Sequence, residues 1–562
     1  MAGVFTDLKL PLDQVVSDVP SWPISRLSRD RNSFLAEVED ETVANILYQH
    51  RSEELLHEEL ASTLYHEKIR LTRKPWSVDP PDEKEFWGGI GKDLIGPEAH
   101  SRIKEEEILR TIAKRYSQEI MGRFNPPTYR FARQFIPIAM NRLLNASGNK
   151  NFSRVIGNRL SIHDRVRLVG AIEEYRTILR NGGILVMVPT HFSNLDSILV
   201  GYAIDAIGLP SFMYGAGINL LSAKVLAYFI NRMGAYKIDR RKKNRVYLET
   251  LKTYAVQAMM KDCHHLFFPG GTRSRSGSIE TKLKMGLLNT VIEAQRRMIA
   301  QAGNSKNYRK VYIVPAVISY NFVLEAPVLI KDHLAQAGKE RYFVEQDKFS
   351  TSAKISKFIF KFFSAGADIW LNFGKPMDIL GNPVNAQGDS IDHKGNPIDL
   401  QNYFLKEGKH VIDPQRDFEY TRMAADKIVE SFHRHNIVLC SHVVSFAAFR
   451  IFQKDYPHLD LYQLLRLPEE DRKIPIDRFQ EVVARLVKAI IDLEKEGKIE
   501  TEPALHASTP EVISFGVRNL GIYHNKMALR FNKQKDTILT DDLSLLHFYH
   551  NRTEGYGFEQ YI

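Results

Sequence analysis

Cysteine is almost absent from this chain: Cys263 and Cys440 are the two in 562 residues. That excludes a disulfide framework and points to a reducing compartment. With no neighbour at metal-ligand spacing, both read as ordinary buried thiols, and no metal site is expected. Long apolar runs are missing too, since no uncharged stretch approaches the ~18 residues of a spanning helix. The nearest, 437–449, is interrupted by Ser441, His442 and Ser445 and reads as a buried helix. The opening MAGVFTDLKLPLDQ has neither the basic head nor the apolar run of a secretory signal. The expectation is a cytoplasmic protein that, where it meets a membrane, lies peripheral on its surface. Negative charge is in deficit, with 67 acidic against 77 basic residues and a net charge of +10. This favours an anionic partner: a phosphate-bearing substrate, an acidic lipid surface or nucleic acid. Nucleic acid is the poorest fit, because the basic runs are not interleaved with aromatics at stacking spacing. A serine or cysteine hydrolase would need an elbow such as Gly-x-Ser-x-Gly, and none is found.

With 44% hydrophobic and 26% charged residues, the composition is that of a folded protein, and its length predicts two or three domains. Residues 1–35 are mixed and rich in punctuation and are expected to form an irregular arm. Over 36–150, apolar residues three and four apart among charges, as in HRSEELLHEELASTLYHEKIRL, predict an N-terminal helical domain with a Pro-rich break at 79–82. The character then changes over 151–416. SIHDRVRLVGAIEEYRTILRNGG opens with a Ser-x-x-Asp cap and reads as a helix stopping at Asn181-Gly182-Gly183. Short apolar runs follow at 184–188, 211–214, 235–238, 265–268, 311–319 and 368–373, with helical stretches between most of them, clearest at 245–261 and 284–302. This alternation predicts an α/β fold, a mixed and largely parallel sheet with helices on both faces. Sites in such sheets form in the loops after strands and at helix N-termini. Gly-Asn-Pro turns at Gly381 and Gly395 bracket a polar insertion, read as a surface hairpin. Residues 417–562 predict a C-terminal, mainly helical domain.

Four clusters carry candidate chemistry. In Pro189-Thr-His191-Phe-Ser-Asn-Leu-Asp196, His191 in the turn and Asp196 in the first helical turn could pair as a general base. Ser193-x-x-Asp196 is equally an acceptable capping box, and the two roles are compatible. In Phe268-Pro-Gly-Gly-Thr-Arg273-Ser-Arg275, Gly270 and Gly271 let backbone approach a ligand, and two arginines offer forked donors for phosphate; a plain glycine turn with solvated basic residues fits as well. Gly234-Ala-Tyr-Lys-Ile-Asp239-Arg240-Arg241-Lys242-Lys243 could be a strand end and a solvated basic face. Val314-Pro315-Ala-Val-Ile-Ser-Tyr320, with Glu325 beyond, could be a plain buried strand with Pro315 at an edge or bulge.

In order and spacing, these clusters resemble the four motifs of the glycerolipid acyltransferases, over about 184–376, where Phe373-Gly-Lys-Pro376 is similar to the closing strand. The tail, with Tyr549-His-Asn-Arg552, is similar to that of the larger glycerol-3-phosphate acyltransferases. The resemblance implies His191 as base, Asp196 as its orienting partner, and Arg240, Arg273 and Arg275 as the acceptor-phosphate site. Gly270, Gly271 and Thr272 would shape the oxyanion loop, and Val314 and Pro315 would help form the acyl channel. Most members carry Glu where this chain has Gly270, although the soluble plastid branch also lacks it. It further implies a glycerol-phosphate acceptor, a thioester donor (acyl-CoA or acyl carrier protein) as co-substrate, no cofactor, and work at an anionic membrane surface. Acylation of lysophosphatidate, which Ile238-Asp239-Arg240 resembles more closely, and a non-catalytic lipid-binding role are the alternatives. Residues 351–363, with Lys354, Lys357 and Lys361 among aromatics, fit a basic amphipathic interfacial helix or a core helix with a lysine face.

Overall fold

The run Ile184–Pro189 is buried at every position, as a strand covered on both faces must be. The computed structural model describes residues 10–562 apart from 51–52, 74–75, 77, 96–100, 148–164, 219–223, 304, 338–367 and 523. Helices α1 (Pro23–Arg29), α2 (Arg31–Gln49), α3 (Glu53–Thr72), α4 (Glu83–Asp93), α5 (Arg102–Ile120) and α6 (Pro126–Ser147) come first. The central region follows as β1 (Val166–Gly170), α7 (Ile172–Arg180), β2 (Ile184–Pro189), α8 (Asp196–Ala206), β3 (Met213–Gly217), α9 (Lys224–Arg232), β4 (Ala235–Ile238), α10 (Arg245–Met260), β5 (His265–Leu266), α11 (Met285–Ala302), β6 (Val311–Tyr320), α12 (Ala326–Ala337) and β7 (Ile369–Phe373). The chain ends in α13 (Pro414–Arg434), α14 (Cys440–Asp455), α15 (Leu461–Leu464), α16 (Ile476–Lys495), α17 (Thr509–Asn519) and α18 (Leu543–His550). Among the described residues, no helix is long and apolar enough to cross a membrane.

The seven strands lie in the order β1-β7-β6-β2-β5-β3-β4. Every pairing is parallel except β6 with β7, so the sheet is the mixed, largely parallel one the alternation predicted. Its registers include Ile184 opposite Val311 and Pro189 opposite Ala316. Because β2, β3, β4, β5 and β6 run the same way, the loops after Pro189, Ile238, Leu266 and Tyr320 emerge at one edge. That shared edge is what brings the four clusters together.

One apolar core joins the sheet to α13–α18 and includes Leu185, Ile313, Phe432, Phe449 and Phe548. A second lies among α1–α5 and one face of α10, with Trp22, Leu109, Tyr116, Tyr247 and Tyr254. The 417–562 region therefore shares its core with the sheet.

Four local expectations change. The first 35 residues are not all irregular: Pro23 begins α1, where its missing N–H is harmless and its φ suits a helix. In the segment read as one helix, Val166–Gly170 is strand β1, with Val166 and Leu168 buried and Arg167 exposed. This two-residue alternation was hidden by the stronger helical pattern after it, and positive φ at Gly170 separates the two. Pro315 lies in an interior strand, neither an edge nor a bulge. Its carbonyl accepts from Gly374 N–H, so the N–H it lacks would face the Lys375-Pro376 reversal, between the β7 ladder and the Ile313–Met377 bridge. The insertion is a ladder of three turns, not one hairpin. Asp378, Asn385 and Asp392 each accept two backbone N–H groups through Oδ1, and Gly381, Gly388 and Gly395 supply positive φ in each turn. The proposed amphipathic helix at 351–363 lies outside the described residues.

Candidate active site

Strand β2 delivers His191 and the N-terminus of α8 to the sheet edge. Asp196, the first residue of α8, is fully buried. Its Oδ2 accepts from His191 Nδ1 at 2.8 Å, Phe192 N–H at 2.6 Å and Ser193 N–H at 2.9 Å. Its Oδ1 accepts from the Tyr320 hydroxyl at 2.5 Å. Burial, with Asp196 beside it, raises the Tyr320 phenol well above its ordinary value, so it stays a donor. Half of the capping box is present, since Asp196 accepts the Ser193 N–H. The Ser193 hydroxyl, however, donates to Glu325. Committing Nδ1–H to a carboxylate leaves Nε2 as the basic nitrogen. The His191 side chain is 14% exposed and stacks on Phe268, ring centroids 4.0 Å apart.

Glu325 ties this turn to the glycine-arginine loop. It accepts from Ser193 Oγ at 3.0 Å, Asn194 N–H at 2.9 Å and Arg273 Nη1 at 3.3 Å. Ser274 N–H donates to the His191 carbonyl at 2.7 Å. Arg240 follows β4 with its side chain reaching the surface, yet the protein packed around its guanidinium, and then the charge of Arg273, lower it from the ordinary value. Two guanidiniums close enough to repel each other are donors that an anion could share. Arg275 lies on the α12 side, where burial and then its charge lower the His333 imidazole. Arg241 and Lys242 face elsewhere: Arg241 pairs with Asp239 and Asp79, and Lys242 with Glu119, joining the loop to the N-terminal helices.

In the glycine loop, Gly271 has φ +75° and its N–H donates to Phe268 O, so it is not available to an oxyanion. Among the described residues, the N–H groups of Gly270 and Thr272 have no partner. Val314 and Pro315 pair with Met187 and Val188 of β2, buried beneath the turn.

Two participants escaped sequence reasoning. Glu280 accepts the His191 N–H at 2.9 Å through Oε1, and burial pushes its carboxyl up from 4.5 to about 7. Arg552 sends Nη2 to Ile318 O at 2.7 Å and Nε to Asn436 Oδ1 at 3.0 Å, and its guanidinium carbon stands 4.0 Å from the Phe192 ring centre. Burial pushes it down to about 10. The Tyr549-His-Asn-Arg552 pattern drew notice to that tail without assigning Arg552 a role, and nothing in Ser276-Gly-Ser-Ile-Glu280 singled out its acid.

Comparison with known proteins agrees with this geometry. Residues 171–319 match the acyltransferase family. Over 326 residues the chain is 23% identical to the glycerol-3-phosphate acyltransferase of Pseudoalteromonas atlantica, covering 57% of this chain and 35% of that one. Over 289 residues it is 27% identical to that of Shewanella amazonensis, 51% and 31% of the two chains. Over 294 residues it is 28% identical to that of Pasteurella multocida, 52% and 31%. The match thus spans about a third of each relative's own length. The sheet, the paired His191 and Asp196, and the matched segment all fall in one region, and in that region the chain is similar to the acyltransferase family and to the named glycerol-3-phosphate acyltransferases.

Proposed function

We propose that this chain transfers a fatty acyl group from a thioester, acyl-CoA or acyl carrier protein, to a hydroxyl of glycerol 3-phosphate, giving lysophosphatidate for phospholipid synthesis. The observation that carries the reading is the 2.8 Å contact of His191 Nδ1 with a buried Asp196, on a turn that Glu325 links to Arg273. The acceptor hydroxyl gives its proton to His191 Nε2 as its oxygen bonds to the thioester carbonyl carbon. The carbon–sulfur bond then breaks, and the departing thiolate takes the proton back from the imidazolium. Asp196 holds the tautomer and stabilises the charged ring. The Gly270 and Thr272 N–H groups are assigned to the transient oxyanion, and Arg240, Arg273 and Arg275 to the acceptor phosphate. Val314 and Pro315 belong to the apolar floor under the acyl chain. The glycerol-3-phosphate acceptor follows from the named relatives and the guanidinium pair; the net charge of +10 supports work at an anionic lipid surface.

The test is thiol release by purified protein with each thioester donor, offered glycerol 3-phosphate and lysophosphatidate in competition. Acylation of glycerol 3-phosphate is expected, and His191→Ala should lose roughly 10²–10⁴ in kcat with an unchanged circular dichroism spectrum. Preference for lysophosphatidate would replace the acceptor. A folded His191→Ala protein of near-full activity would refute the base.

A further inference from the structure

Gly270 and Glu280 share one space. A Cβ placed on Gly270 would stand 3.0 Å from Glu280 Cγ and 3.2 Å from Glu280 Oε1. That same oxygen accepts the His191 backbone N–H at 2.9 Å. The other carboxylate oxygen, Oε2, is buried with no hydrogen-bond partner among the described residues. The arrangement has the form of a strut: a carboxylate from the far side of the glycine loop reaches over residue 270 and fixes the backbone that carries the base. Ile279, 4% exposed and part of the core, anchors the strut at its foot.

We propose that Glu280 is a positioning residue for His191, and that Gly270 is the vacancy it requires. The inference rests on the acyl-transfer reading and adds to it an acid outside the four motifs. It also makes a reciprocal demand. A glutamate Cβ lies about 3 Å from its own carboxylate oxygens by ordinary bond lengths. A glutamate at 270 could therefore set an oxygen where Glu280 Oε1 now sits, provided residue 280 were small. With both acids present, the two side chains collide.

Four variants decide the matter, each checked for folding by circular dichroism and thermal midpoint. Glu280→Ala should lower kcat about 10- to 100-fold through misplacement of the base, with the acceptor KM within about twofold because the arginines are untouched. Glu280→Gln keeps an oxygen acceptor for the His191 N–H and should stay within about threefold of wild type. Gly270→Glu alone should fall below wild type. The exchange Gly270→Glu/Glu280→Ala should recover at least about tenfold over Glu280→Ala. A folded Glu280→Ala protein with wild-type kcat, or an exchange that recovers nothing, overturns the inference while leaving acyl transfer standing. A wild type that releases no thiol overturns the parent reading and this one with it.

Discussion

Glu280 titrates close to neutrality, and its effect on stability has a definite sign. Its carboxyl is raised from 4.5 to about 7, chiefly by burial. Between those values the folded chain holds a proton that the unfolded chain has released. Stability contributed at this site therefore falls as pH rises from 4.5 to 7 and is level above, by at most about 3 kcal/mol. The groups facing it include His191, whose N–H it accepts, and the charges of Asp196 and Arg552. Glu280→Gln removes the titration, so urea midpoints of wild type and variant should diverge across that window; parallel curves would dismiss the effect. Arg273 offers the contrasting case. A charge-assisted phosphate contact contributes about 1.5–3 kcal/mol, and if it is equal in ground and transition states its loss appears in binding. Arg273→Ala should thus raise the glycerol 3-phosphate KM at least tenfold with kcat little changed, measured by initial rates. A fall in kcat alone would place Arg273 in the chemistry.

The loop between β5 and α11 is the element on which the site depends. It emerges at the same sheet edge as His191, and Gly277 closes it against the tail. Gly277 has φ +86°, and a Cβ there would meet the Phe548 carbonyl oxygen at 2.1 Å. Asn551 Nδ2 donates to Ser276 O at 2.9 Å at the same junction. Gly277→Ala combines backbone strain with a collision against α18, and should destabilise the protein by about 2–4 kcal/mol, read from chemical denaturation. A neutral change would show that loop and tail are not locked together. At this scale the sequence was readable where the pattern was strong. Residues 184–188 and 245–261 coincide with β2 and α10 to within a residue, because long or fully apolar runs admit few alternatives. Edge strand β1 was missed because its five residues abut a better helical pattern.

Across the whole molecule, the C-terminal tail completes the back of the candidate site. Arg552 is buried, makes no ion pair among the described residues, and is satisfied instead by a carbonyl, an amide oxygen, the Ser319 hydroxyl and the Phe192 face. Its charge holds the Glu280 carboxyl below where burial alone would put it. Arg552→Met leaves Ile318 O and Asn436 Oδ1 without these donors, costing about 2–3 kcal/mol, visible as a lower urea midpoint. It should also move the Glu280 titration to higher pH. A variant as stable as wild type, with that titration unmoved, would separate tail from site.

The chain's order of types, His191 with Asp196, then Arg240, then Gly271 and Arg273, then Tyr320, by itself made an acid-braced imidazole and a basic loop candidates, beside a capping box and a solvated glycine turn. Its apolar runs determined that a sheet would carry them, since backbone periodicity and burial are local properties. Only the tertiary structure decided that Arg241 and Lys242 serve the N-terminal helices and that Glu325 bridges the two loops. It alone placed Glu280 over Gly270 and Arg552 behind Phe192. Those contacts join residues far apart in sequence, and which distant side chain fills a given space is fixed by packing in three dimensions, which leaves no periodic trace along the chain.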